Sequence, residues 1–136
     1  MNSDPDSVLD IYVQAVTARK AEAVVALDVR GLTSIADAFI ICSARSNRQV
    51  SAIAEHVQRF LRDHAIKPLS VEGQREGHWV LMDYGSVIIH VFYESTRRFY
   101  DLEGLWADAR RIYTPSMQQQ DNAGDSSFDG DEIIVE

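Results

Sequence analysis

Apolar residues recur at helical spacing near the start of the chain: Val8, Ile11, Tyr12, Ala15 and Val16 share one face, with Asp6 or Ser7 placed as the cap. The pattern predicts an amphipathic helix whose stripe packs inward. Two short apolar runs follow, at 24–29 and 38–42. Neither alternates polar with apolar residues, so both read as interior strands covered on two faces. After the polar stretch 43–47, Ser46 or Ser43 can cap a helix running to about Ala65. Val50, Ile53, Ala54, Val57 and Leu61 form its inward stripe.

Pro68 restarts the chain as extended structure through Val71, and Gly73 and Gly77 bracket a loop. Strands at 79–84 and 87–93 then meet across Gly85-Ser86, a link short enough to predict an antiparallel hairpin. Thr96 opens a last helix carrying Phe99, Leu102, Leu105, Trp106 and Ala109, and Gly104 is placed to kink or split it. The order implies an α/β fold, a single domain over residues 1–113 with a mixed five-stranded sheet flanked by helices. Residues 114–136 are rich in Gln, Asp, Ser and Gly and cannot bury enough apolar surface to order themselves, so they read as a disordered tail.

Charge sharpens this division. The net charge of −8 includes six acids beyond Thr114 with no base among them; without these, 15 acids face 13 bases, or −2 for the body. A body so nearly balanced lacks the basic surplus of a protein that grips nucleic acid by itself. No apolar run reaches the length of a membrane span, and residues 1–6 are polar and acidic rather than a secretory signal. Cys42, the one cysteine, lies in an apolar run and reads as a buried thiol of a cytoplasmic protein.

Candidate chemistry is thin. Gly85-Ser86 offers the turn that nucleotidyltransferases place before a metal-binding strand, but 87–93 carries no carboxylate to hold the cations. No phosphate-binding glycine loop occurs, and His56, His64, His78 and His90 lack zinc-ligand spacing. His90, mid-strand among apolar residues, reads as a structural or interface histidine, and Ser86 has no evident triad partners. Asp125, Ser127, Asp129, Gly130 and Glu136 fall at the spacing of a calcium-binding loop, but Glu132 replaces the apolar position and no helix follows. The expectation is a protein that is no enzyme and needs no metal or cofactor.

Blocks of residues in a fixed order carry a family resemblance. They run from Leu27-Asp28-Val29-Arg30-Gly31-Leu32-Thr33-Ser34-Ile35-Ala36-Asp37 to Ser43-Ala44-Arg45-Ser46-Asn47-Arg48-Gln49-Val50 and Val71-Glu72-Gly73. They continue with Trp79-Val80-Leu81-Met82-Asp83-Tyr84-Gly85, Ile89-His90-Val91-Phe92 and Arg98-Phe99-Tyr100-Asp101-Leu102-Glu103-Gly104-Leu105-Trp106. In these blocks the chain resembles the ribosomal silencing factors, the Iojap-related RsfS family; Ala44 stands where a glycine is expected, and the tail lies outside the likeness. The resemblance implies a nucleotidyltransferase-like fold without the active site. It also implies a translation repressor that binds the fourteenth protein of the large ribosomal subunit and sterically blocks joining with the small subunit. It further implies a homodimer as one state of the free chain, since some members of the family are dimers in isolation. Alternatives are an assembly factor of the large subunit or a nucleotide-binding transferase-like enzyme.

Given that resemblance and the balanced charge, the expected partner is a protein rather than RNA, with little direct nucleic-acid contact. Trp79, Leu81 and Asp83 point to one face of the hairpin and Val80, Met82 and Tyr84 to the other. Both faces are apolar, so one packs and one is available to bind; the pattern does not say which. The candidate contacts are Trp79, Leu81, Met82, Asp83, Tyr84 and His90, with Arg97, Arg98 and Tyr100 as a rim on the final helix. Trp106, at helical spacing with Leu102 and Leu105, reads as core, and Asp28 and Asp37 as loop-holding residues.

Overall fold

A computed structural model describes residues 5–117. The first helix, α1 (Pro5–Thr17), leads into β1 (Glu22–Asp28) and β2 (Ala38–Ala44). Helix α2 (Asn47–Asp63) then crosses to β3 (Ser70–Glu72), β4 (Trp79–Asp83) and β5 (Val87–Tyr93). Two short helices, α3 (Glu94–Tyr100) and α4 (Leu102–Leu105), precede β6 (Arg110–Ile112). The strands form one mixed sheet in the order β3-β4-β5-β2-β1-β6, antiparallel throughout except for the parallel pair β2/β5.

The best-specified element is α2. The Ser46 hydroxyl accepts the Gln49 backbone N–H at 3.1 Å, and the Gln49 side chain returns to accept the Arg45 N–H at 3.2 Å. The first bond satisfies one of the donors that a helix start leaves unpaired, and the second ties the residue before the cap to the first turn. The five residues of the predicted stripe, Val50, Ile53, Ala54, Val57 and Leu61, are all fully buried. In α1 the stripe is rotated: Leu9, Val13, Ala15 and Val16 are buried, while Val8 is 58% exposed. Leu9, Val13 and Val16 form an equally good i, i+4, i+7 series, and packing against α2 and the sheet selects it.

Helices α1 and α2 cover one sheet face, packing on Ile40, Cys42, Val80, Met82, Ile89 and Val91. The other face holds a smaller cluster of Leu27, Val29, Phe39, Ile41, Ile88 and Phe92, roofed by Leu102, Trp106 and the segment carrying Ala36. Every residue of β2 is buried, as expected of an interior strand. Only Val25, Ala26 and Leu27 are buried in β1, which begins with a bulge where Ala23 takes φ 50°.

Three expectations change. The sheet has six strands, not five, because β6 pairs Ile112 with Ala26 and Arg110 with Asp28 at the outer edge. A three-residue strand with one buried side chain leaves too short a pattern to read. The final helix is split at Asp101 (φ 46°), whose carboxylate accepts the Gly104 N–H at 3.2 Å and caps α4. Finally, the packed body passes the predicted boundary at 113 and reaches at least Met117. Thr114 and Met117 are buried, and Ser116 donates its N–H and hydroxyl to the Asp10 carboxylate at 3.0 and 2.8 Å. The predicted disorder of the tail and its calcium-like spacing fall on residues 118–136, outside the described residues.

Candidate docking site

The β4–β5 hairpin pairs Trp79 with Phe92, Leu81 with His90 and Asp83 with Ile88, so all six lie on the sheet face away from α1 and α2. The turn is closed by the Asp83 carboxylate, which accepts the Gly85 N–H at 2.8 Å, with Gly85 at φ 91° in the left-handed region. That face is only partly roofed, and its aromatic rings form a continuous series. Trp79 lies 4.8 Å from Phe92 and 5.0 Å from Tyr100, and Phe99 meets Tyr100 edge-on at 5.0 Å. Phe39 contacts both His90 and Trp106 edge-on at 5.3 Å.

His90 anchors this series from below. It is 5% exposed, and burial holds its pKa down to about 4, so the ring is neutral near pH 7. The Trp79 indole N–H donates to His90 Nδ1 at 3.1 Å, which places the imidazole proton on Nε2. Nε2 is buried and finds no hydrogen-bond partner among the described residues.

Above the sheet, α3 is held by Arg97. Its guanidinium donates to both oxygens of Glu103 at 3.2 and 2.7 Å, to the Ser43 hydroxyl at 3.0 Å and to the Glu22 carbonyl at 3.5 Å. The Arg97 bonds, outweighing burial, hold the Glu103 carboxyl below its ordinary value. Anchored this way, α3 presents Phe99 and Tyr100 outward, 79% and 53% exposed, while α4 exposes Leu105 at 74%. Trp79, Tyr93, Ser95, Thr96, Phe99 and Tyr100 line an open groove of about 630 Å³ between the strand ends and α3.

This geometry sorts the residues proposed from sequence. Trp79 and Leu81 are half-buried on the open face, and Arg98 and Tyr100 are exposed beside it. Met82 is fully buried under α1 and α2 and cannot touch a partner. Tyr84 belongs to the same core: its ring lies 5.7 Å from that of Tyr12, and burial first, then Tyr12, pushes its hydroxyl up to about 12. Asp83 is committed to the turn, and His90 and Arg97 support the surface from beneath rather than forming its rim. Phe99 and Leu105 are the surface residues that pattern reading missed. The Asp101-x-x-Gly104 sequence was the signal, since a cap there separates them from the helical phase that made them look inward.

A smaller cavity of about 170 Å³ lies at the opposite end of the parallel strands, lined by Val8, Leu9, Tyr12, Asp28, Asp37, Ser86 and Ile112 among others. It brings two carboxylates beside the Gly85-Ser86 turn. Asp28 is bound by Arg30 at 2.7 Å and Arg110 at 3.1 Å, and the Arg30 bonds above all hold its carboxyl far below the usual range. Among the described residues no three His, Cys, Asp or Glu side chains gather into a metal-binding group, and no helix is long and apolar enough to cross a membrane.

Residues 2–133 match the family described as "Ribosomal silencing factor during starvation". The chain belongs to the RsfS family. It is 43% identical to the ribosomal silencing factor RsfS of Halalkalibacterium halodurans over 105 residues, covering 77% of this chain and 90% of that one. A crystal structure of a protein from Chromobacterium violaceum superposes with a TM-score of 0.71 at 35% identity, covering 74% of this chain and 83% of the other. A more distant relative is the mouse protein named "Mitochondrial assembly of ribosomal large subunit protein 1". It is 27% identical over 72% of this chain, which spans 44% of the mouse protein. Membership in the RsfS family assigns the chain a ribosome-related role.

Proposed function

We propose that the chain acts by binding rather than by chemistry. It docks its open aromatic face on the fourteenth protein of the large ribosomal subunit and blocks joining with the small subunit, in the cytoplasm. The observation that carries this reading is the exposed pair Phe99 and Tyr100 beside half-buried Trp79, set on an α3 held by Arg97. Large apolar groups exposed together mark interaction surfaces, and aromatic anchors supply most of the binding energy at such surfaces. The enzyme alternative lacks support in the small cavity, where Arg30 and Arg110 occupy Asp28.

Co-sedimentation of the purified chain with isolated large subunits, followed by addition of small subunits, tests the proposal. Retention on the large subunit and loss of the joined particle are expected; a chain left in the supernatant with normal joining refutes it. The name of the mouse relative favours a second reading, in which the same docking serves assembly of the large subunit. Depletion of mature large subunits on gene deletion would favour assembly, whereas raised translation in starvation with normal subunit levels would favour silencing.

A further inference from the structure

Helix α1 is followed by Arg19 and Lys20, and Lys20 takes φ 63°, a left-handed conformation more often given to glycine. This turn sets both cations beside α2, where Arg19, Lys20, Gln49 and Ala52 line a groove of about 310 Å³. Arg48, exposed on the first turn of α2, stands next to Gln49. Among the described residues, Arg19, Lys20 and Arg48 form no ion pair. Two carboxylates at this end, Glu22 and Glu94, are instead engaged by Arg45 at 3.2 and 3.7 Å. Burial first, then the charges of Arg19 and Arg59, lower the pKa of His56, so the cationic field extends along α2.

The position of this groove gives it meaning. Trp79 opens β4 opposite Phe92, and Ala44 ends β2 opposite Tyr93, so the aromatic groove lies at the end of the sheet where α2 begins. The loop before Trp79 packs directly on that first turn: a Cβ on Gly77 would stand 2.5 Å from the Asn47 carbonyl. Asn47 and Gly77 are therefore neighbours, which places the start of α2, where Arg48 is exposed, beside the loop that leads into Trp79 and the aromatic groove.

Resting on the large-subunit reading above, we infer that Arg19, Lys20 and Arg48 form an RNA-backbone contact that grips ribosomal phosphates while the aromatic face holds the protein. Guanidinium and ammonium groups without carboxylate partners suit phosphate oxygens, with Arg able to bind two at once. The body's charge of −2 fits a contact that adds to protein docking rather than one that binds RNA alone.

The test is the salt dependence of binding of the full chain to isolated large subunits, for wild type and for the Arg19→Gln/Lys20→Gln/Arg48→Gln variant. Each phosphate contact contributes a slope of roughly 0.7–0.9 in log affinity against log salt, so the variant should be shallower by about 2–3 units. Between about 50 and 200 mM salt, wild type should then lose roughly 20- to 40-fold more affinity than the variant. Binding to the purified ribosomal protein free of RNA should be equal for both. An unchanged slope, or an equal loss on the RNA-free protein, overturns the inference. Neutralising the six tail carboxylates to amides in the full chain tests the other occupant. If that removes the slope difference, the cations hold the acidic tail and the inference fails. A wild-type chain that does not bind subunits at all refutes the docking reading, and this inference with it.

Discussion

Stability should fall sharply between pH 7.5 and 5, and His90 should account for much of the fall. The folded pKa of this ring is about 4 because burial disfavours its charged form, against 6.5 for the exposed group. A depressed histidine pKa means that the unfolded chain takes up the proton first. The stabilisation is therefore fully present above 6.5 and is lost as pH falls toward 4. The full span corresponds to about 3.4 kcal/mol at 1.36 kcal/mol per unit. About 2 kcal/mol of that is lost by pH 5. The carboxyls held below their ordinary values, Asp10, Asp28 and Glu103, add their losses mainly at lower pH, so they leave this window largely clear. Urea denaturation at pH 7.5 and 5 of wild type and His90→Phe isolates the effect. The wild-type midpoint should drop by about 1–2 M more than that of the variant, for a dependence of about 1–2 kcal/mol per molar urea. Equal drops in the two proteins would refute the assignment of His90 as a buried neutral ring.

Three further perturbations follow from the packing. Arg97→Gln leaves Glu103 without its bidentate partner and should cost about 3 kcal/mol in chemical denaturation, with loss of the Phe99–Tyr100 surface; a cost below about 1 kcal/mol would show that solvent already satisfies the pair. Ending the chain after Tyr113 removes Thr114, the Ser116–Asp10 bonds and buried Met117, and should lower stability by about 2 kcal/mol. A melting temperature like that of the full chain would contradict that packing. Cys42 is fully buried, and burial pushes its thiol up to about 12, so it should resist a thiol reagent at pH 8 until urea unfolds the chain. Labelling in seconds under native conditions would show that the sheet opens there.

The sequence made some of this legible and hid the rest for physical reasons. The stripe of α2 was readable because 17 residues repeat one period and Ser46 marks the start. The hairpin was readable because Gly85-Ser86 separates two clear strands. Which hairpin face is covered and which stays open was not readable, since Trp79 and Leu81 are as apolar as Val80 and Met82. Only the docking of α1 and α2 distinguishes the two faces. Arg97 looked like a surface cation because its partners Ser43 and Glu22 lie far away in sequence and meet it only in the folded sheet. β6 escaped because its partner β1 decides its state, not its own three residues. The cationic groove was hidden for a similar reason: Arg19 and Lys20 meet Gln49 and Ala52 only when the end of α1 packs beside the start of α2.

The docking claim is tested most directly by the affinity of Phe99→Ala/Tyr100→Ala for isolated large subunits, measured beside wild type after confirming equal melting temperatures. Both side chains are mostly exposed, so the fold should survive their removal. If they anchor the contact, affinity should fall by about 30-fold or more, equivalent to about 2 kcal/mol, and the variant should no longer prevent subunit joining. A folded variant that binds large subunits as tightly as wild type would contradict the account and move the docking surface elsewhere on the molecule.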